Sequence, residues 1–137
     1  MNERRQRRKQ KKKRKHYAEE IPCIVFLSTK ENKSFDLAEQ KEERQLRYIN
    51  QYADSHGLVP MKIIRRGCFA PKVRDELFEK CICMMKQGKA RAILVANMEY
   101  ISSGEADAYH KIGMVREQGF QIFSVDEGEL KLNLKRA

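Results

Sequence analysis

Few residues in this chain are placed to make or break bonds, and most of them gather where short apolar runs end. Ser28, Thr29 and Lys30 close the run IPCIVFLS at 21–28. Asn97, Glu99, Tyr100, Ser102 and Ser103 end or follow RAILVANM at 91–98, and Asp126 and Glu127 follow FQIFSV at 120–125. A serine hydroxyl is a nucleophile only when a neighbouring group activates it. The histidines, His16, His56 and His110, are all distant from Ser28 in sequence. No glycine falls between Val25 and Ser55, so the Ser28 loop is not a backbone cradle for phosphate. On residue chemistry alone, Ser28 reads as a strand-terminal serine.

Metal chemistry has little to work with. Cys23, Cys68, Cys81 and Cys83 form no Cys-x-x-Cys pair and have no histidine at ligand spacing, so no metal and no cofactor are expected. Cys81 and Cys83, two apart, point away from each other if they lie on a helix. They read as reduced, mostly buried thiols of a cytoplasmic protein.

A second kind of chemistry is concentrated at the start. Residues 1–16 hold Arg4, Arg5, Arg7, Arg8 and Lys9, then Lys11, Lys12, Lys13, Arg14 and Lys15. That is ten of the 29 basic residues and one of the 19 acidic ones, so the rest is nearly neutral at 19 against 18. A run of like charges without apolar residues cannot bury enough surface to offset its ordering entropy. The expected organisation is a disordered basic tail over 1–18 and one α/β domain over 19–137. The tail lacks the apolar stretch of a secretory signal, and no run is long enough to span a bilayer. Ten cations in twelve positions suit phosphates, with DNA expected as partner and RNA as the alternative.

The elements that must position these groups follow from pattern. The β-branched run at 21–28 reads as a buried strand. Asp36 with Glu39 looks like a helix start and Gly57 a stop, with Leu46, Ile49 and Ala53 at helical spacing between them. Residues 58–66 read as a second strand, and Pro60 puts it at an edge or makes its start irregular. A helix over 72–87 carries Leu77, Phe78, Cys81, Ile82 and Met85 on one face. Strand three covers 91–98. Ser102 with Glu105 reads as a capping box for a helix bearing Ala108, Ile112 and Val115, ended by Gly119. Residues 120–125 make strand four, and the alternating ELKLNL at 129–134 a half-exposed strand antiparallel to it. Strands alternating with helices imply right-handed crossovers, a mostly parallel sheet and helices on both faces. Ligands of such sheets sit beyond the carboxyl ends of the strands. If strands one and three are neighbours, Ser28 faces the Asn97–Ser103 loop.

In order and spacing, four stretches resemble the catalytic domain of the serine recombinases, the resolvase/invertase family. IVFLST at 24–29 is similar to the family's opening Tyr-x-Arg-Val-Ser-Thr. QLRYINQYADSHGL at 45–58 is similar to its first helix, KQGKARAILV at 86–95 to its Gly-Lys turn and third strand, and IGMVREQGFQIFSVDEGE at 112–129 to its closing helix, strand and Val-Asp-Glu end. The resemblance covers about 21–130 and implies a three-layer resolvase-like fold of four mostly parallel strands plus an antiparallel edge strand. It places Ser28 at the position of the nucleophile that attacks a DNA phosphodiester, with arginines holding the phosphate.

Those arginines are replaced. The one two residues before the serine is Phe26, and the strand-three Asp-Arg-Leu-x-Arg aligns with Glu99, Tyr100, Ile101, Ser102 and Ser103. Spacing back from Gly88 puts Asp75 at the remaining arginine position, with Arg74 one residue away. Phosphoryl transfer depends on positioning and on stabilising negative charge, and losing one preorganised donor typically costs ~10²–10³ in rate. Lys30 is the nearest cation in sequence to Ser28, and Arg65 and Arg66 read as a strand end held in solvent. The resemblance therefore implies a catalytically inactive or accessory relative, associated with DNA through its tail and with a full-length recombinase or a second copy of itself. An active strand-exchange enzyme using Ser28 with substitute cations such as Lys30, Arg65, Arg66 or Arg74 is the alternative. A protein-interaction module with a solubilising or RNA-binding tail is a third reading. Family members usually continue into a long helix and a separate DNA-binding domain, and no helix-turn-helix pattern occurs within these 137 residues.

Overall fold

The computed structural model describes residues 20–132. The basic tail and the end of the expected last strand, 133–134, lie outside the described residues. Strand β1 (Ile21–Leu27) is buried on both faces from Cys23 onward, which is why it reads as a continuous apolar run. Helix α1 (Phe35–His56) leads back to β2 (Leu58–Arg65), and α2 (Pro71–Lys86) to β3 (Ala92–Val95). A 3₁₀ turn (Met98–Tyr100) and α3 (Glu105–Glu117) then precede β4 (Gln121–Ser124) and β5 (Gly128–Glu129). The sheet order is β2-β1-β3-β4-β5, parallel except for β5 against β4.

Alternate residues of β1 feed two cores. Cys23, Val25 and Leu27 pack with Ile49 and Ala53 of α1. Ile24 and Phe26 face α2 and α3, against Phe78, Ile82, Ile112 and Val115. Each of these large side chains, taken fully out of water, is worth ~1.5–3 kcal/mol. The expected three layers and mostly parallel sheet are therefore present.

Pro60 has both consequences expected of it. Strand β2 is an edge, and its register slips so that Cys23 faces Pro60 while Ile24 faces Lys62, leaving Met61 as the extra residue of a bulge. Gly57 ends α1 in the left-handed region at φ 69°, as the stop signal required.

Several boundaries differ from the sequence expectation. Strand three, expected over 91–98, ends at Val95, and Met98 already begins the 3₁₀ turn. Ser34, not Asp36, caps α1: its backbone is extended at φ −136° and its hydroxyl accepts from the Leu37 N–H, which leaves Asp36 inside the first turn. The Ser102 capping box does not form, because the chain turns at Gly104 (φ 93°) and α3 starts at Glu105. The last strand is short. Glu129 pairs with Phe123 and Leu130 donates to Ile122, so only Gln121 is left of β4 to pair with before the chain reaches the turn that ends α3. Leu130 and Leu132 instead pack on the α2–α3 core.

Candidate functional site

The chain runs from β1 outward to β2, then crosses back to β3 on the other flank of β1. The switch in direction falls between β1 and β3, and their carboxyl ends carry the expected residues. Ser28 and the 97–103 loop do meet there. The Ser28 hydroxyl donates to the Tyr100 carbonyl at 2.7 Å, and the residue is 1% exposed. Gln45 of α1 clasps the Ser28 peptide from both sides: its Oε1 accepts from Ser28 N at 2.9 Å and its Nε2 donates to Ser28 O at 2.8 Å. Thr29 is also buried.

Two arginines converge here from outside the aligned positions. Arg66, expected in solvent, is 5% exposed. Its Nη1 donates to Thr29 O at 2.8 Å and lies 3.4 Å from Ser28 Oγ, while its Nε donates to Phe69 O at 2.8 Å. The reason is the turn after β2, where Arg66 N bonds Leu27 O and Gly67 N donates to the buried Glu42 at 2.7 Å, rolling the side chain inward. Burial, and then the Arg74 guanidinium, pull the Arg66 pKa below the usual arginine value. Arg65 stays half exposed, bonded to Glu43 at 2.7 Å.

Arg74 is also 5% exposed, whereas Asp75 lies on the more open side of α2. The one-residue shift considered from spacing is thus the side chain that turns inward. Its Nη2 donates to Ser103 Oγ at 2.7 Å and its Nε to Asp75 at 3.0 Å. Lys111 of α3, 3% exposed, completes an ionic cluster with Asp75 at 2.9 Å and Asp107 at 2.5 Å. Burial pushes the Asp107 carboxyl up, but Lys111, the Ser103 N–H and Arg74 outweigh it and hold the pKa below the ordinary aspartate value.

Lys30, the nearest cation in sequence, does not serve Ser28. It points to solvent and pairs with Glu99 at 3.6 Å. Of the remaining loop groups, Asn97 donates to Asp126 at 2.9 Å and accepts from Glu99 N at 2.8 Å. Glu127 accepts from Met98 N at 3.1 Å and Ser124 Oγ at 2.8 Å, tying the loops after β3 and β4 together. Ser102 donates to Met98 O at 2.6 Å.

Arg74, Glu42 and Lys111 had a signal available. Arg74 and Phe78 are four apart, as are Ala38 and Glu42, and Lys111 and Val115, so each charge lies in phase with an apolar stripe. A charge in that phase is buried and needs a partner. Arg66, at a strand end, has no such periodicity. Among the cysteines, Cys23 and Cys81 are buried and their thiols are pushed up to about 12 by that burial, whereas Cys68 is half-buried and Cys83 exposed. No helix among the described residues is long and apolar enough to cross a membrane.

No protein-family model matches the chain, and no curated protein sequence matches it. Solved structures do match in fold. The N-terminal catalytic domain of TP901-1 integrase is similar with a TM-score of 0.62 at 12% identity, over 78% of this chain and 79% of that one. The C-terminal catalytic domain of ISC1926 TnpA, an IS607-like serine recombinase, gives 0.59 at 16% identity, over 77% and 70%. A resolvase family site-specific recombinase from Streptococcus pneumoniae gives 0.62 at 15% identity, over 86% and 78%. The chain has the fold of serine recombinase catalytic domains.

Proposed function

We propose that this chain is a DNA-associated protein of resolvase-like fold in which Ser28 does not act as a nucleophile. The observation carrying this reading is the state of the hydroxyl: 1% exposed, with its proton directed at the Tyr100 carbonyl. A carbonyl takes no proton from an attacking serine. The neighbouring guanidinium groups are also engaged, Arg66 by two backbone carbonyls and Arg74 by Ser103 and Asp75. To hold a phosphate they would first have to leave these partners. DNA contact is assigned to the tail over 1–18, with the domain over 19–137 in an accessory role beside a recombinase or a second copy.

A second reading, active strand exchange, is favoured by one observation, the 3.4 Å approach of Arg66 Nη1 to Ser28 Oγ with Arg74 beside it. Suicide DNA substrates nicked near a cleavage site separate the two. The expected result is no denaturant-stable adduct. An adduct that disappears in Ser28→Ala establishes the second reading and removes the first.

A further inference from the structure

On the α1 face of the sheet, opposite α2 and the ionic cluster of Arg74 and Lys111, a crevice of about 450 Å³ opens at the carboxyl ends of β1 and β3. It lies at the β1/β3 switch point, where open α/β sheets bind ligands, and its size falls within the ~300–1,000 Å³ of small-molecule sites. Its walls differ. Lys30, Lys41 and Arg44 supply three cations, Tyr48 and Tyr100 two aromatic rings, and Asp126 one carboxylate. Ala96 is a small apolar lining residue.

We propose that this crevice binds a nucleoside phosphate, with the phosphate on Lys41 and Arg44, the base against the tyrosines and the sugar hydroxyls or base amine on Asp126.

The cations differ in how far they are engaged. Arg44 makes no hydrogen bond or ion pair with another described residue. Lys30 holds an exposed pair with Glu99 at 3.6 Å, which contributes little that a phosphate would have to replace. Lys41 bonds Glu31 at 3.0 Å, and because the Glu31 side chain is only 12% exposed, a phosphate on Lys41 has to share the ammonium with that carboxylate. The carboxylate decides what kind of anion enters. Asp126 accepts from the Tyr48 hydroxyl and from Asn97, which fixes it in place, and a carboxylate has further acceptor sites to offer. A bare inorganic anion meets its repulsion and gains nothing from it. A ligand with phosphate at one end and hydroxyl or amine donors at the other satisfies both walls. Tyrosine faces accept any base, so base identity is weakly read. The site is independent of the state of Ser28 and of the tail's role.

The same unit could come from a free nucleotide or from a nucleic-acid strand. Amide NMR titration of the full chain tests the site with adenosine 5′-monophosphate, inorganic phosphate, adenosine, and a single-stranded oligonucleotide lacking terminal phosphates. The mononucleotide is expected to shift resonances of Lys30, Arg44, Tyr48, Ala96 and Tyr100, and to bind at least tenfold tighter than phosphate or adenosine. Lys41→Ala with Arg44→Ala, both exposed, should weaken it at least tenfold with the fold retained by circular dichroism. The oligonucleotide shifting the same resonances at lower concentration identifies a strand as the source, and the mononucleotide being the tighter binder identifies a free nucleotide. Shifts confined to residues 1–16, phosphate binding as tightly as the mononucleotide, or an unaltered double variant each overturn the proposal.

Discussion

Glu42 is the buried residue on which the geometry near Ser28 turns. It is 2% exposed, accepts from Gly67 N and sits near both Arg65 and Arg66. Burial raises its pKa from the usual glutamate value of 4.5, and the Gly67 N–H and the two arginines only partly offset that. The folded chain therefore holds this proton to higher pH than the unfolded chain. The stability Glu42 contributes is complete below about 4.5 and is lost as pH rises through the folded value. Glu42→Gln keeps an acceptor for Gly67 and removes the titration. Relative to wild type it should gain stability as pH rises above about 4.5, so that it gains on wild type from pH 4 to pH 7, with Asp107 and Asp126 cancelling in the comparison. Urea unfolding at both pH values measures this, and a variant that loses ground as pH rises contradicts it. The convergence of Ser28 with Tyr100 was legible from strand order, whereas the inward turn of Arg66 was not. That turn depends on a carboxylate 24 residues earlier in sequence, on another element.

At the scale of elements, pattern located the five strands and three α-helices of the described residues but not the 3₁₀ turn at Met98–Tyr100, because burial on one or two faces leaves a period in the sequence that a single turn is too short to show. Ends were less legible. Ser34, Asp36 and Ser102 are all able to cap, and backbone direction alone decided between them. The length of β5 was hidden for another reason: its alternation is real, but a strand lasts only as long as its partner, and β4 has four residues. Gly57 is the terminator whose identity matters most. Its φ of 69° disfavours any side chain, and its N–H closes on Ala53 O. Gly57→Ala should cost ~1–2 kcal/mol, read as a lower urea midpoint with an unchanged slope. A midpoint within error of wild type would mean the helix end relaxes freely.

The molecule as a whole divides its charge unevenly, with residues 1–16 carrying ten basic side chains and the rest nearly balanced. Duplex binding through such a segment is counterion release, and six to ten phosphate contacts lose ~10³–10⁵ in affinity between 50 and 200 mM salt. Deleting 1–16 should abolish most duplex binding and leave the circular dichroism spectrum of the domain intact. Fluorescence anisotropy against a salt series measures it. Binding that survives the deletion, or a flat salt response, would move the DNA contact onto the domain.

The bulge at Met61 bears on something other than binding. A sheet margin with free amides and carbonyls invites a strand from another molecule, and repeated addition grows fibres. Strand β2 exposes Met61 and Ile63, so apolar stickiness is available there. Yet Pro60 withholds one amide, the bulge breaks the spacing, and Lys62 puts charge beside it. The opposite margin, β5, offers only two residues. Among the described residues neither margin is a good template for further copies, so a variant with Pro60 replaced and the bulge straightened is expected to polymerise at lower concentration than the wild type.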